Sequence, residues 1–490
     1  MNKLKQFILM LVMMFAVFLP LSNLTIKADQ TDTSLEDIKK SGKLVVGLSA
    51  DYPPYEFTAK VDGKTEYVGI DIEIAKKLAK DLGVKLEIKN MSFDSLLVAL
   101  ETNKVDAIIS AMNPTPERKA SVDFSDIYYS GKQYIVINKK DASKYKNLAD
   151  FKGQTVGAQN GSLQYNLVKD QMPGTTVKGL SKLNNLVLAL QSGKINGIAM
   201  EEPTAKAYVA NNNQLLAFDP GFSVNSDQTG SAIAFRKNSP ALVAAANKTL
   251  AQIKKQNLLD TKYVPEAAKY METTTKNNTM MSYWTYFAKG IEYTLIITVT
   301  AVFFGFILGT LLSLMRLSEN KLLHSIAVCY IEFIRGTPLM VQVMFVYFGV
   351  GAVIQSLPAL VAGIIATALN SAAYIAEVIR SGIESIPAGQ TEAARSLGMT
   401  QKDTYRYVVI PQALKNIWPA LGNEFVTLIK ESSIVSIIGV GDLMYQTQLV
   451  QSATYKGVLP LFITMIIYFI LTFTLSRILL YFEGRMKHAH

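Results

Sequence analysis

Hydrophobic positions are distributed in two different ways along this 490-residue chain. Up to about Tyr283, short apolar runs alternate with polar and charged stretches; beyond it, long apolar runs dominate. The first region predicts strands at 43–49, 84–88, 105–110, 133–137, 154–157, 197–200 and 230–235. Between them, helical spacing marks 70–82, 95–102, a segment beginning at Ser162, and 240–255. Such alternation builds parallel sheets whose ligand sites lie at the strand carboxyl ends. The second region predicts membrane-crossing helices at about 287–314, 325–353, 359–379, 425–444 and 458–481. Each is near or above the ~20 residues that span a bilayer. The expected fold class is multidomain: an α/β domain followed by an all-α transmembrane domain of about five spans.

The chain opens with Lys3 and Lys5, an apolar run over 7–21 and a small residue at Ala28. That layout predicts a secretory signal over 1–28 and places the α/β region outside the cell. Five spans then leave the C-terminus inside. Basic residues agree: Arg316, Lys321, Arg395, Lys402, Arg406, Lys415, Arg485 and Lys487 fall on the predicted inner side, and Lys456 alone marks the outer connections. The polar stretch 381–420 is therefore expected in the cytoplasm of a multi-pass protein of the cell membrane.

Composition narrows the chemistry. The net charge of +10 is dispersed and partly topological, which argues against nucleic acid as a partner. Cys329 is the single cysteine, and the three histidines are distant or terminal, so no disulfide framework, metal site or cofactor is expected. No catalytic constellation appears, and the expectation is a transporter subunit rather than an enzyme. Gly-Lys-Thr at 63–65 has Thr58 where a phosphate-binding loop needs glycine.

Several short motifs occur in sequence order: Gly69-Ile-Asp-Ile-Glu73, Pro116-Glu-Arg-Lys119, Val122-Asp-Phe-Ser-Asp126 and Glu201-Glu-Pro203. Over about 40–272 the chain resembles the polar-amino-acid solute-binding proteins of ABC importers. The resemblance implies two α/β lobes closing on a ligand, joined by hinge strands near 134–138 and 232–236. Arg118 is the candidate for the ligand's α-carboxylate, because a guanidinium binds it with two parallel bonds. Ser110, Ala111 and Asn113 at the preceding strand end could add donors. The resemblance further implies Glu201 for the ammonium, where the family usually has Asp, and Tyr52 and Phe93 as aromatic walls. Ser162, Leu163 and Gln164 match a contact at a helix start, where free N–H groups favour an anion. Ser49, Gln159 and Met200 remain as side-chain readers. No carboxylate obviously awaits a cationic side chain, so a neutral polar ligand such as glutamine is expected, with arginine or lysine as the alternative.

Within 381–420, Glu392-Ala393-Ala394, then Gly398, then Ile410-Pro411 resemble the EAA loop of ABC-importer permeases. Read locally this is two short helices. Thr391 caps the first, Gly398 stops it in the left-handed region, and Thr400 with Asp403 opens the second, which runs toward Pro411. The resemblance implies docking of this loop into a cytoplasmic ATPase dimer, and pairing of the permease with a second copy. Ionisable residues within the spans include Glu332, Arg335, Glu377, Glu424, Lys430 and Glu431. Glu332-Phe-Ile-Arg-Gly-Thr-Pro338 and the stretch from Asn370 to Glu377 resemble the same permeases, making Asn370 and Glu377 candidates for the substrate path. The expected partition is a signal at 1–28, a linker at 29–42, a binding domain at 43–272, a linker at 273–284 and a permease at 285–490, with its loop at 381–412. A ligand-gated ion channel is the rival from another class; there the pore helices interrupt the binding domain, whereas here they all follow it.

Overall fold

A computed structural model describes residues 32–488 apart from 62–63, 226–229, 277–278, 355–356 and 455. The expected signal segment lies outside the described residues.

The first half folds as two α/β lobes. In the first lobe, β1 (Lys43–Leu48) is parallel to β2 (Lys85–Asn90) and to β3 (Ala107–Ile108). Two later strands, β4 (Val122–Phe124) and β10 (Ala234–Arg236), complete a sheet of order β2-β1-β3-β10-β4, with β10 antiparallel to both neighbours. The second lobe holds β5 (Gln133–Asn138), β6 (Thr155–Gln159), β7 (Thr176–Leu180), β8 (Gly197–Glu201) and β9 (Leu215–Phe218), in the order β7-β6-β8-β5-β9. Here β5 runs antiparallel to β8 and β9. Strands buried on both faces read as continuous apolar runs; five of the six residues of β1 are buried.

The hinge differs from expectation. Residues 134–138 and 234–236 are strands inside the two lobes, and the connecting segments pair a few residues earlier, Tyr129–Ser130 antiparallel to Gly230–Ser231. The run at 133–137 is apolar because it is buried in the second lobe, not because it crosses between lobes. The site lies between the lobes, at the carboxyl ends of β1, β3, β6 and β8.

The second half is helical. We label α1 (Trp284–Arg316), α2 (Lys321–Arg335), α3 (Leu339–Met344), α4 (Ala359–Glu384), α5 (Ile410–Glu431), α6 (Leu443–Thr454) and α7 (Val458–His488). Three helices, at Met280–Arg316, Ala359–Glu384 and Val458–Gly484, are long and apolar enough to cross a membrane. The expected span at 325–353 is a pair of helices bent by 105° at Gly336–Pro338, where Pro338 cannot donate and precedes α3 as its N-cap. The expected span at 425–444 is not one helix. Its residues end α5, pass through a 3₁₀ turn at Ser432–Ile438, and stop at Gly439, whose φ of +80° is the left-handed conformation that ends helices.

The two halves share a core. Leu96, Leu100 and Met112 of the first lobe pack in one apolar cluster with Ile297, Val343, Tyr347 and Val435 of the helical half. Lys60 Nζ donates to the carbonyl of Ser282 at 2.9 Å, and Asn184 Nδ2 of the second lobe to Ser452 Oγ of α6 at 2.6 Å.

Candidate functional site

Strand ends and helix starts position the cleft residues. β1 runs into the loop holding Ser49 and Tyr52, which folds back through a bridge between Tyr52 and Glu56. After β3 the chain turns at Ala111, with φ +44°, and its N–H is held by Asp71 Oδ2 at 2.7 Å. Thr115 then caps the helix Pro116–Ser121 that carries Arg118. From the other lobe, Gln159 ends β6 and Ser162 caps the helix Leu163–Gln171, its Oγ accepting from Tyr165 N and donating to Gln159 O.

One small cavity closes between the lobes. Its lining brings together Ser49, Tyr52, Phe93, Ser110, Ala111, Asn113, Gln159, Ser162 and Gln164, nine of the residues expected from the sequence, and adds Glu56. Arg118, Leu163 and Glu201 are buried but not part of that lining.

The charged groups are held in unlike ways. Arg118 Nη1 donates to Asn113 O at 2.7 Å and Nη2 to Gly161 O at 2.6 Å across the cleft, with the guanidinium over the Phe93 ring. Among the described residues no carboxylate makes an ion pair with it, and burial lowers its pKa to about 10. Glu201 is 1 % exposed; Tyr55 Oη donates to its Oε2 at 2.8 Å and Asn113 Nδ2 to its Oε1 at 3.0 Å. Both of its oxygens thus have a donor, and burial raises its pKa to about 7. Asn113 thus touches a cation through its carbonyl and an anion through its amide.

At the opposite end, Ser110 Oγ accepts from Ser49 N and donates to Glu56 Oε1 at 2.5 Å, so its proton is committed to Glu56. Glu56 is 1 % exposed and hydrogen-bonded to the neighbouring Asp71 carboxyl. This residue is a correction to the expectation that no carboxylate faces the side-chain end. Sequence placed it in a turn-rich loop, where polar residues are usually solvated. The short bridge to Tyr52 turns it inward instead, and burial beside Asp71 pushes its pKa well above the carboxylate range. Lys182, also unforeseen, reaches across the cleft to Ser49 Oγ and Met91 O, both at 3.2 Å.

Residues 44–265 match the bacterial extracellular solute-binding proteins, family 3, and residues 276–488 match the binding-protein-dependent transport system inner membrane component. The chain is 39% identical to the arginine-binding extracellular protein of Bacillus subtilis, covering 44% of this chain and 83% of that one. The chain belongs to the amino-acid ABC importers, with binding protein and permease fused in one polypeptide. Its permease half is 42% identical to the arginine transport system permease protein of B. subtilis, over 41% of this chain and 91% of that one. It is 39% identical to a putative glutamine transport system permease protein of Rickettsia felis, over 41% of this chain and 93% of that one.

In the importer's helical half, Asn370 Nδ2 donates to Gln342 Oε1 at 3.0 Å, and Gln342 in turn donates to Ile334 O and Thr337 O at the bend after α2. Glu377 is enclosed by cations: Arg316 Nη1 donates to it at 2.8 Å, and Arg380, one turn on, pairs with both Glu377 and Glu384. Its carboxylate is spent on protein partners. In the 381–412 loop, Glu392, Ala393 and Ala394 lie on the helix Ala388–Ser396. Pro387 precedes that helix, so Thr391 sits inside it and does not cap it. Gly398 adopts φ +82°, and Thr400 Oγ1 accepts from Asp403 N at the next helix start. The chain does not stop at Pro411. A π-wound turn at Tyr405–Val409 leads straight into α5, a wider turn that accommodates the proline's missing donor.

Proposed function

We propose that this importer subunit captures a polar α-amino acid outside the cell in its first half and passes it through its own helical half, driven by a separate cytoplasmic ATPase dimer. The observation that carries the site reading is the pair Arg118 and Glu201, oppositely charged, buried, without ionic partners among the described residues, and both bonded to Asn113. A zwitterionic ligand supplies the carboxylate that Arg118 lacks and the ammonium that Glu201 lacks. Tyr52 and Phe93 wall the cavity and keep water from competing. Ser49 and Gln159 alone fit a neutral side chain such as glutamine; the relatives named above comprise both glutamine and arginine systems.

The distribution of Lys and Arg supports a binding half outside and a 381–412 loop inside. Leu397 and Tyr407, 85% and 62% exposed, give that loop an apolar surface suited to the ATPase, with Glu392, Ala393, Ala394, Gly398 and Pro411 as its framework. Exposed apolar side chains along α1 and α7, Val299, Phe303 and Phe469 among them, fit lipid and a second permease copy, which we take to be identical. In this reading Asn370 lies on the substrate path, whereas the partners of Glu377 favour a structural role. The domain partition follows the sequence reading, 43–272 for binding and 285–490 for transport.

The test is a thermal-shift screen of the purified full chain against the twenty amino acids, followed by ATP-driven uptake in vesicles with the ATPase added. A ligand at 100 times its Kd adds about 2.7 kcal/mol of stability. A shift with one or a few polar amino acids is expected; no shift across the panel would overturn the assignment of Arg118 and Glu201.

A further inference from the structure

We infer that the helical half keeps the first lobe seated while the cleft opens and closes, and that Ser452 of α6 is a positioning residue that reads closure, met by the second lobe when the cleft is closed. The inference rests on the importer reading above and deepens it. Opening a two-lobed cleft turns one lobe against the other about the connecting segments, here 129–130 and 230–231. Helix α6 lies across both lobes. One small pocket beside it is lined by Ala50, Asp51 and Asn90 of the first lobe and by Lys182 and Asn184 of the second. A rigid helix in contact with both lobes can follow only one of them.

The contacts divide unequally. On the first lobe, Leu96, Leu100 and Met112 share an apolar cluster with Ile297 of α1, Val343 of α3 and Val435 of the 3₁₀ turn. Lys104, 3 % exposed, donates to the carbonyls of Ile354 and Leu357 at 3.5 and 3.4 Å and stands over the Tyr347 ring. Those carbonyls follow the helical run 339–353, the end at which a helix favours a cation. A side chain at Gly351 would occupy the space of that ammonium. The second lobe meets the helical half at narrower points: Asn184 Nδ2 donates to Ser452 Oγ at 2.6 Å, and Leu188 lies against Gly457. Apolar attraction grows with the area removed from water, so the broad face holds and the narrow contact parts. Neither Asn184 nor Ser452 lines the amino-acid cavity. From α6 the chain leads back through the 3₁₀ turn and α5 to the 381–412 loop, so one continuous segment joins the Ser452 contact to the surface proposed to meet the ATPase.

The test uses the full chain in lipid nanodiscs, with Cys329→Ser to remove the single cysteine. Spin labels are placed at exposed Met281→Cys beside α1 and at exposed Lys80→Cys in the first lobe or Lys169→Cys in the second. Distances are measured by electron resonance without ligand and with L-arginine or L-glutamine, whichever raises the melting point in the screen. The first-lobe distance is expected to stay within about 1 Å, and the second-lobe distance to lengthen by more than about 2 Å without ligand. Equal changes in both, or a larger change in the first lobe, would overturn the seat. Ser452→Ala should then lower ligand-stimulated ATP hydrolysis by the added ATPase, relative to the ligand-free rate, about fivefold, as loss of one hydrogen bond predicts. Ser452→Thr, which keeps the hydroxyl, should restore it. An unchanged ratio in Ser452→Ala would overturn its role in reading closure. Should that variant not fold, the two distances decide. A silent screen would remove the amino-acid site itself; the seat would then fail if, without ligand, the first-lobe distance is as broadly distributed as the second.

Discussion

In the binding half, Arg118, Glu56 and Glu201 are buried and make no ion pair among the described residues; in the helical half, Glu377 is clasped by Arg316 and Arg380. Both regions take charge out of water, where an uncompensated ion is costly. At Glu377 the helical half meets that cost with ion pairs. The cleft leaves it unmet, holding Arg118 with two carbonyls and Glu201 with an amide and a phenol. Unmet charge of both signs around one closed cleft is what a zwitterion can satisfy, which is the contrast on which the proposed site rests.

The largest expected effect breaks the unpaired side of that comparison. Arg118→Ala should weaken amino-acid binding about 100-fold or more, because in the proposed site it removes a two-pronged charged contact to the α-carboxylate. The melting point without ligand should stay level or rise, since the residue lost is an uncompensated buried cation. Calorimetry with the ligand found in the screen, beside a melting curve, checks both; unchanged affinity would take Arg118 out of the site. Glu377→Gln tests the paired side and should do the reverse. It leaves Arg316 with Glu332 alone, at 3.8 Å, and Arg380 with Glu384 alone, at a cost of about 1 kcal/mol. Lower thermal stability of the membrane-embedded protein with ligand affinity unchanged is expected; a loss of uptake at full stability would return Glu377 to the substrate path.

A pH series sharpens the same contrast within the cleft. Glu201 has its pKa raised by burial to about 7, against about 4.3 in an unfolded chain. Between those values the folded state holds a proton that the unfolded state has released. Stability contributed by this group is therefore full below about pH 4.3 and is lost as pH rises toward 7. Ligand binding follows the opposite course, because only the ionised form attracts an ammonium. Affinity should fall as pH drops from 8 to 6, by at most about tenfold per unit. The Glu201→Gln variant should flatten that slope; a wild-type slope of zero would separate Glu201 from the ammonium.

How much of this was legible in the sequence follows from what local pattern encodes. The alternation of strands and helices gave both lobes, and Arg118 was readable because a strand end, a Pro-initiated helix and a guanidinium occur within nine residues. The hinge was displaced because an apolar run cannot distinguish a strand within a lobe from a crossing between lobes. The stretch 425–444 looked like a span because hydropathy does not register that Gly439 takes a left-handed turn with its α-carbon against Asn90 of the first lobe. Glu56 was missed for a related reason. Its inward orientation depends on a five-residue bridge and on Ser110, 54 positions away, and no periodicity carries that information.

The smallest predicted effect lies where the two halves meet without charge. Tyr445 of α6 shares hydrogen bonds with Tyr67 Oη at 3.1 Å and Asn90 Nδ2 at 3.0 Å, and Asn90 Oδ1 accepts from Ala50 N, in the loop that leads to Tyr52. The other end of α6 holds Asn184 of the second lobe through Ser452, so one helix touches both lobes of the closed cleft. Tyr445→Phe removes the hydroxyl and keeps the ring, leaving buried Asn90 and half-buried Tyr67 each short of a bond, a loss of about 1 kcal/mol. That corresponds to roughly a fivefold change in a docking equilibrium. Uptake in vesicles should slow by about that factor, while Arg118 and Glu201, untouched, keep affinity for the amino acid within about twofold. If affinity fell as far as uptake, α6 would be part of what closes the lobes rather than what receives them closed. If neither changed, apolar packing of Leu96, Leu100 and Met112 against the helical half would hold the two halves together without help from the tyrosine.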